Sequence, residues 1–100
     1  MPNKNYRAGA REEYACMKRW KARGYSVARS SGSHGIWDVC AVRAGSPVEL
    51  IQCKLTSSRP TAKKLLEDFR KDPPFLPDDH FHQVLEVRIK GQTEILSVTI

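Results

Sequence analysis

The sequence predicts an α/β protein with a central mixed β-sheet flanked by helices, its elements running in the order αβββαββ. Three observations carry this expectation. Two segments repeat apolar residues at helical spacing. The short strands at 36–43 and 48–55 are apolar on both faces over much of their length, which calls for cover on both sides. A last pair of strand-like runs, 82–89 and 93–100, is joined by the turn "KGQ".

The first helix is expected over residues 6–23, with Ala10, Cys16, Met17 and Trp20 on one arc and Gly24 as a left-handed stop. Glu13 falls in the middle of that arc, and a carboxylate there is costly unless it is paired. Glu12 is rotated off the stripe and is expected to reach water. "YSVARS" reads as a short strand, and "SSGSHG" as a Gly/Ser loop. The strand at 36–43 turns at "AGSP" into the strand at 48–55. A second helix is expected within "SSRPTAKKLLEDFRKD", with Pro60 near its start and a stripe of Leu65, Leu66 and Phe69. Pro73 and Pro74 end it, and "PPFLPDDH" is a loop.

One hundred residues predict one domain, residues 1–100, with a core small enough that help from a second subunit is plausible. No apolar run approaches the ~18 residues of a membrane span. "MPNKNYRAGAREE" lacks the apolar segment of a secretory signal, so a cytoplasmic location is expected. Cys16, Cys40 and Cys53 form no CxxC pair and each lies in an apolar segment. They read as core thiols of a reducing compartment rather than a structural zinc site. The net charge of +6 and a pI near 9.5 favour a polyanionic partner.

The residues that carry chemistry are Asp38, Gln52 and Lys54. Gln52 and Lys54 are two apart on a strand and share a face. Counting back from the turn brings Asp38 opposite them. An acid, an amide oxygen and an ammonium group then meet at one end of the sheet, with Glu13 as a fourth member. Metal-assisted phosphodiester hydrolysis needs such a set. Mg²⁺, with Mn²⁺ as a substitute, takes hard oxygen ligands, here Asp38, the Gln52 side-chain oxygen and the Cys53 backbone carbonyl, with Glu13 through water. Lys54 orients the water or steadies the transition state. Ahead of Asp38, "VARSSGSHG" joins Arg29 to loop amides and hydroxyls of the kind that contact phosphates. His34 fits phosphate or plain solvent equally. His80 and His82 read as surface or strand-edge residues, Trp20 and Trp37 as core. The basic run Lys18, Arg19, Lys21 and Arg23 reads as a solvated helix face.

"YRAGAREE", "GYSVARSSGSHGIWDVCAV" and "IQCK" together resemble the archaeal-type Holliday junction resolvases of the PD-(D/E)xK nuclease superfamily. The resemblance covers residues 6–56 well, and beyond that only the order of elements. It implies a restriction-endonuclease-like core and a catalytic set at Glu13, Asp38 and Lys54. It also implies DNA contacts at Arg7, Arg29 and Ser33, beside which Ser30 and His34 of the same loop are expected DNA contacts. The family's members are Mg²⁺-dependent homodimers that cut four-way DNA junctions by paired nicks. Gln52 departs from the family, which has Glu there, so the site loses one negative charge. Gln-x-Lys occurs in other branches of the superfamily. Two other expectations therefore stand beside the resolvase: a phage or mobile-element nuclease with another DNA substrate, and a catalytically silent DNA-binding module. A dimer surface is expected near Leu66, Phe69, Phe75 and Leu76. Neither a membrane nor a small-molecule substrate is expected.

Overall fold

The structure is a computed structural model that describes residues 4–30 and 36–100, with side chains from Gly9 onward. Its elements are α1 (Lys4–Ala22), β1 (Ser26–Arg29), β2 (Val39–Val42), β3 (Val48–Thr56), α2 (Arg59–Lys71), β4 (Phe81–Ile89) and β5 (Ile95–Thr99). The expected αβββαββ order holds. The strands lie side by side in chain order. All neighbours are antiparallel except β3 and β4, which run parallel. A parallel pair needs a long crossover, and α2 is that crossover, so the sheet is mixed.

Strand alternation sorts the core into two layers. Ile51 and Val84 turn to one face, where they meet Cys16 and Trp20 of α1 together with Val39 and Ala41. Leu85, Val87 and Ile89 turn to the other, where they meet Ala62 and Phe69 of α2 and Val98 of β5. β3 is paired on both edges and covered on both faces, as its two-faced apolar pattern requires. Among the described residues no helix is long and apolar enough to cross a membrane.

Local chemistry sets the helix ends. Gly24 takes a φ of 91°. Its N–H bonds to the Lys21 carbonyl and the Tyr25 N–H reaches back to the Trp20 carbonyl. These are the two bonds of a Schellman stop. The apolar contact that accompanies it is the edge-to-face pair of Trp20 and Tyr25, with centroids 5.0 Å apart. α2 opens on Ser58, whose hydroxyl accepts the Thr61 N–H, with Pro60 in the first turn.

Three features differ from expectation. β2 begins at Val39 rather than 36, because the Cys53 N–H is taken by the Asp38 carboxylate instead of a ladder carbonyl. Glu12, expected in water, is 7 % exposed and buried. Its carboxylate receives the Arg88 Nε–H at 2.6 Å, so an ion pair ties α1 to β4. A helical stripe broad enough to cover three strands extends past the arc drawn from the apolar residues, and Arg88 supplies the compensation that burial demands. Phe69, expected with Leu66, Phe75 and Leu76 on a dimer surface, is 7 % exposed and belongs to the α2 core, whereas Phe75 and Leu76 are exposed at 45 % and 87 %.

Candidate active site

Asp38 stands where three strands converge. Its N–H donates to the Ile51 carbonyl at 2.9 Å, and its carbonyl accepts the Ser30 N–H at 2.9 Å. The side chain turns onto β3, where Oδ2 accepts the Cys53 N–H at 2.8 Å. The pairing of Val39 with Ile51 puts Asp38 beside Gln52. Asp38 is thus fixed at both its main chain and one carboxylate oxygen, next to the Gln52–Lys54 stretch the sequence singled out.

Gln52 and Lys54 share the α2 face of β3. They line a groove of about 430 Å³ with Leu65, Asp68, Phe69, Lys71, Asp72, Pro74 and Leu85. Asp68 and Asp72 escaped the sequence reading. They are four apart beside Phe69, and in a helix with a clear apolar stripe such acids look like solvated flank. Only the crossover path, which lays α2 over β3, brings them to Gln52 and Lys54.

Glu13 comes from the α1 side. Its Oε1 accepts the Arg29 Nε–H at 2.6 Å, and both side chains are largely buried. Arg29 also donates to the Tyr14 hydroxyl at 3.2 Å and its guanidinium lies 4.8 Å from the Tyr14 ring centre. The residue expected to touch DNA is therefore engaged with Glu13 here. The carboxylate at the centre of the stripe has found the partner that its placement demanded. Ser30 is exposed, and its N–H holds the Asp38 carbonyl. Ser33 and His34 lie outside the described residues, as does the side chain of Arg7. His82 bonds the buried Glu49 at 2.8 Å, and His80 bonds Asp78 at the surface.

The Asp38 carboxyl is held above the ordinary carboxylate range. Loss of solvent is the largest cause and the nearby Glu13 adds to it, while the Cys53 N–H, Lys54 and Arg29 pull the other way. A raised native pKa means the folded chain binds this proton more tightly than the unfolded chain. Stability associated with Asp38 is therefore present below the ordinary carboxylate pKa and is lost as pH rises through the native value. Asp38→Asn is expected to raise Tm at neutral pH, with the gain shrinking to nothing as pH falls through the carboxylate range. Melting curves of both proteins across pH test this. A Tm deficit of constant size at every pH would show that desolvation of Asp38 does not oppose folding.

The donors around Asp38 suit a hard divalent cation: the second carboxylate oxygen, the Gln52 amide oxygen and the main-chain carbonyl of Cys53. Asp38 and Glu13 are offset by Arg29 and Lys54, so the four charges cancel. Such a site draws a cation less strongly than one with a second carboxylate at position 52.

Among solved structures, the chain superposes on a Holliday junction resolvase. That protein is Hjc of the archaeal hyperthermophile Archaeoglobus fulgidus. The TM-score is 0.54 at 14 % identity, covering 91 % of this chain and 83 % of that one. At that identity the likeness is one of fold, here a five-stranded mixed sheet between two helices. No family model matches the chain, and no curated protein does.

Proposed function

We propose that the protein is a metal-dependent DNA endonuclease that hydrolyses phosphodiester bonds in branched DNA, with the four-way junction as its preferred substrate. The observation that carries this is the Asp38 carboxylate clamped to the main chain of β3 beside Gln52 and Lys54, on a fold shared with a junction resolvase. Asp38, Gln52 and the Cys53 carbonyl would hold Mg²⁺ or Mn²⁺. A cation bound there would supply a water of lowered pKa and offset charge growing on phosphorus. Lys54, exposed in the groove, would orient the attacking water and stabilise the developing oxyanion. Glu13 acts from the α1 side through a second water. Its Arg29 partner is released or redirected when a phosphate enters, exchanging one anion for another. Basic residues at the loop before Asp38 and at the start of α1, Arg7 and His34 among them, with the hydroxyls of Ser30 and Ser33, bind the backbone.

The test is nicking of a labelled four-way junction with Mg²⁺ or Mn²⁺, with linear duplex as control. Paired nicks in the junction and none in the duplex are expected. Equal cutting of both would keep the nuclease and remove the junction. Tight binding with no cutting in either metal would leave a silent DNA-binding module, a reading the cancelled charges around Asp38 favour.

Gln52→Glu is expected to tighten metal binding and to move the Mg²⁺ needed for half-maximal cutting to lower concentration, by about 10-fold for an added ligand charge worth ~1.4 kcal/mol. An unchanged metal titration would place Gln52 away from the cation.

Symmetric cuts in opposed strands call for two active sites about one axis, which a homodimer supplies. Phe75 and Leu76, exposed on the loop after α2, are the apolar residues proposed for that contact. Sedimentation at micromolar concentration is expected to give twice the 11.3 kDa chain mass, and Leu76→Glu to return it to the monomer. A wild-type monomer that still makes paired cuts in one binding event would exclude the dimer.

A further inference from the structure

Behind the candidate active site, on the α1 face of the sheet, three side chains converge that no part of the proposed hydrolysis uses. Cys16 comes from α1, and Cys53 and Glu86 are register partners on β3 and β4. Their two sulfurs and a carboxylate oxygen all lie within 4.8 Å of one another. The cysteines are free, and Cys16 is fully buried. The absence of a CxxC pair argued against zinc in the sequence, but the packing of a helix on two strands creates a spacing that chain order does not show.

We infer that Cys16, Cys53 and Glu86 form a binding site for a thiophilic divalent cation, Zn²⁺ in the first instance, separate from the hard-cation site at Asp38. Size is the first argument. Tetrahedral zinc with sulfurs at ~2.3 Å sets them about 3.8 Å apart, so the cluster needs to contract by no more than about 1 Å. Preparation of the carboxylate is the second. Glu86 Oε1 receives Arg19 at 2.7 Å and Oε2 receives the Trp20 indole N–H at 2.9 Å. Each oxygen keeps a lone pair for a metal, and outer partners of this kind aim a ligating group. Charge is the third. As the cation enters, the two thiols release two protons to solvent. Two thiolates and Glu86 then balance Zn²⁺ and Arg19, so the buried cluster is neutral both empty and filled. The Arg19 Nε–H, buried without a hydrogen-bond partner among the described residues, gains anionic sulfur nearby. A water closes the fourth position.

The site pins α1 to β3 and β4. Cys53 lies between Gln52 and Lys54, and its N–H holds Asp38. Cys16 is three residues from Glu13. A bound ion here would fix the spacing of both candidate catalytic carboxylates without touching substrate.

Cobalt tests the inference, since Co²⁺ bound to thiolates gains strong charge-transfer absorption that an all-oxygen site lacks. The reduced, metal-stripped chain is titrated with Co²⁺ in excess Mg²⁺, then with Zn²⁺ in competition. One equivalent is expected to give the thiolate band, and Zn²⁺ to abolish it. Loss of outer partners alone costs a metal site about 10–100-fold in affinity, so Cys53→Ser or Cys16→Ser should weaken binding by at least ~100-fold. Asp38→Asn should leave the band intact, which separates this site from the hydrolytic one. In the wild-type chain, Zn²⁺ should slow alkylation of Cys16 and Cys53 but not of Cys40, a readout that needs no variant to fold. No thiolate band in the wild type, or a band that survives both serine variants, would overturn the inference. So would a Cys16–Cys53 disulfide in the oxidised chain with no metal uptake by the reduced one. None of these outcomes bears on whether the protein cuts DNA.

Discussion

Lys54→Ala is expected to reduce junction cleavage by at least ~10²-fold while junction binding stays within a few-fold of wild type. A charged group aimed at developing charge is worth about that much in rate. Affinity, by contrast, comes from many phosphate contacts, of which Lys54 would be one. The substitution should be quiet for folding, because Lys54 is exposed at the groove and its neighbours on β3 carry the core. Asp38→Asn should show the same loss of cleavage. It is also the safer probe of the two possible Asp38 substitutions. The amide oxygen can still accept the Cys53 N–H, whereas Asp38→Ala would strand a part-buried donor at a cost of about 1 kcal/mol, the lower end for a fully buried one. Single-turnover nicking and gel-shift titration on the same preparations separate the two quantities. Wild-type cutting by either variant would remove that residue from the chemistry.

The second expected result is a division of labour between adjacent glutamates. Glu12→Ala should destabilise the protein by about 3 kcal/mol, the lower end for breaking a buried ion pair, because Arg88 retains some solvent. At this chain length that is a Tm lower by roughly 10–20 °C. The fraction that remains folded should cut DNA at the wild-type rate, since Glu12 points to β4 and away from Asp38. Glu13→Gln should instead reduce cutting by about 10²-fold, as expected for a group that handles a proton or a water at the reacting centre. Its carboxylate is near enough to Asp38 to bear on that proton. Thermal melts with cleavage assays below the melting range distinguish the two. Equal effects of both changes on rate would mean that Glu13 acts only as the anchor of Arg29.

Much of the candidate site was legible because strand chemistry is local. Gln52 and Lys54 share a face by the period of two, and the short turn after β2 brings Asp38 back beside them with little freedom of register. Gly24 could be read as a helix stop because its left-handed conformation is a property of one residue. The same holds for Pro60 in the first turn of α2. The element order followed from alternation, helical stripes and turn residues, and the structure agrees with it.

Tertiary structure decided the rest, wherever the outcome depended on what an element packs against. The wheel of α1 placed Glu13 inward and Glu12 outward. Both are sequestered, because the helix lies across three strands and Arg88, 76 positions away, covers the flank that the apolar residues left open. Arg29 reads from the sequence as a residue for phosphate, and only the fold shows that it also pairs with Glu13. Asp68 and Asp72 entered the groove only because the crossover carries α2 over β3. Cys16, Cys53 and Glu86 have no meaningful spacing along the chain, yet a helix and two neighbouring strands bring them within 4.8 Å. Hydrophobic period and turn chemistry are encoded in runs of a few residues. The pairing of a buried charge or thiol is a long-range contact, chosen by whichever partner packing brings near enough to offset its desolvation.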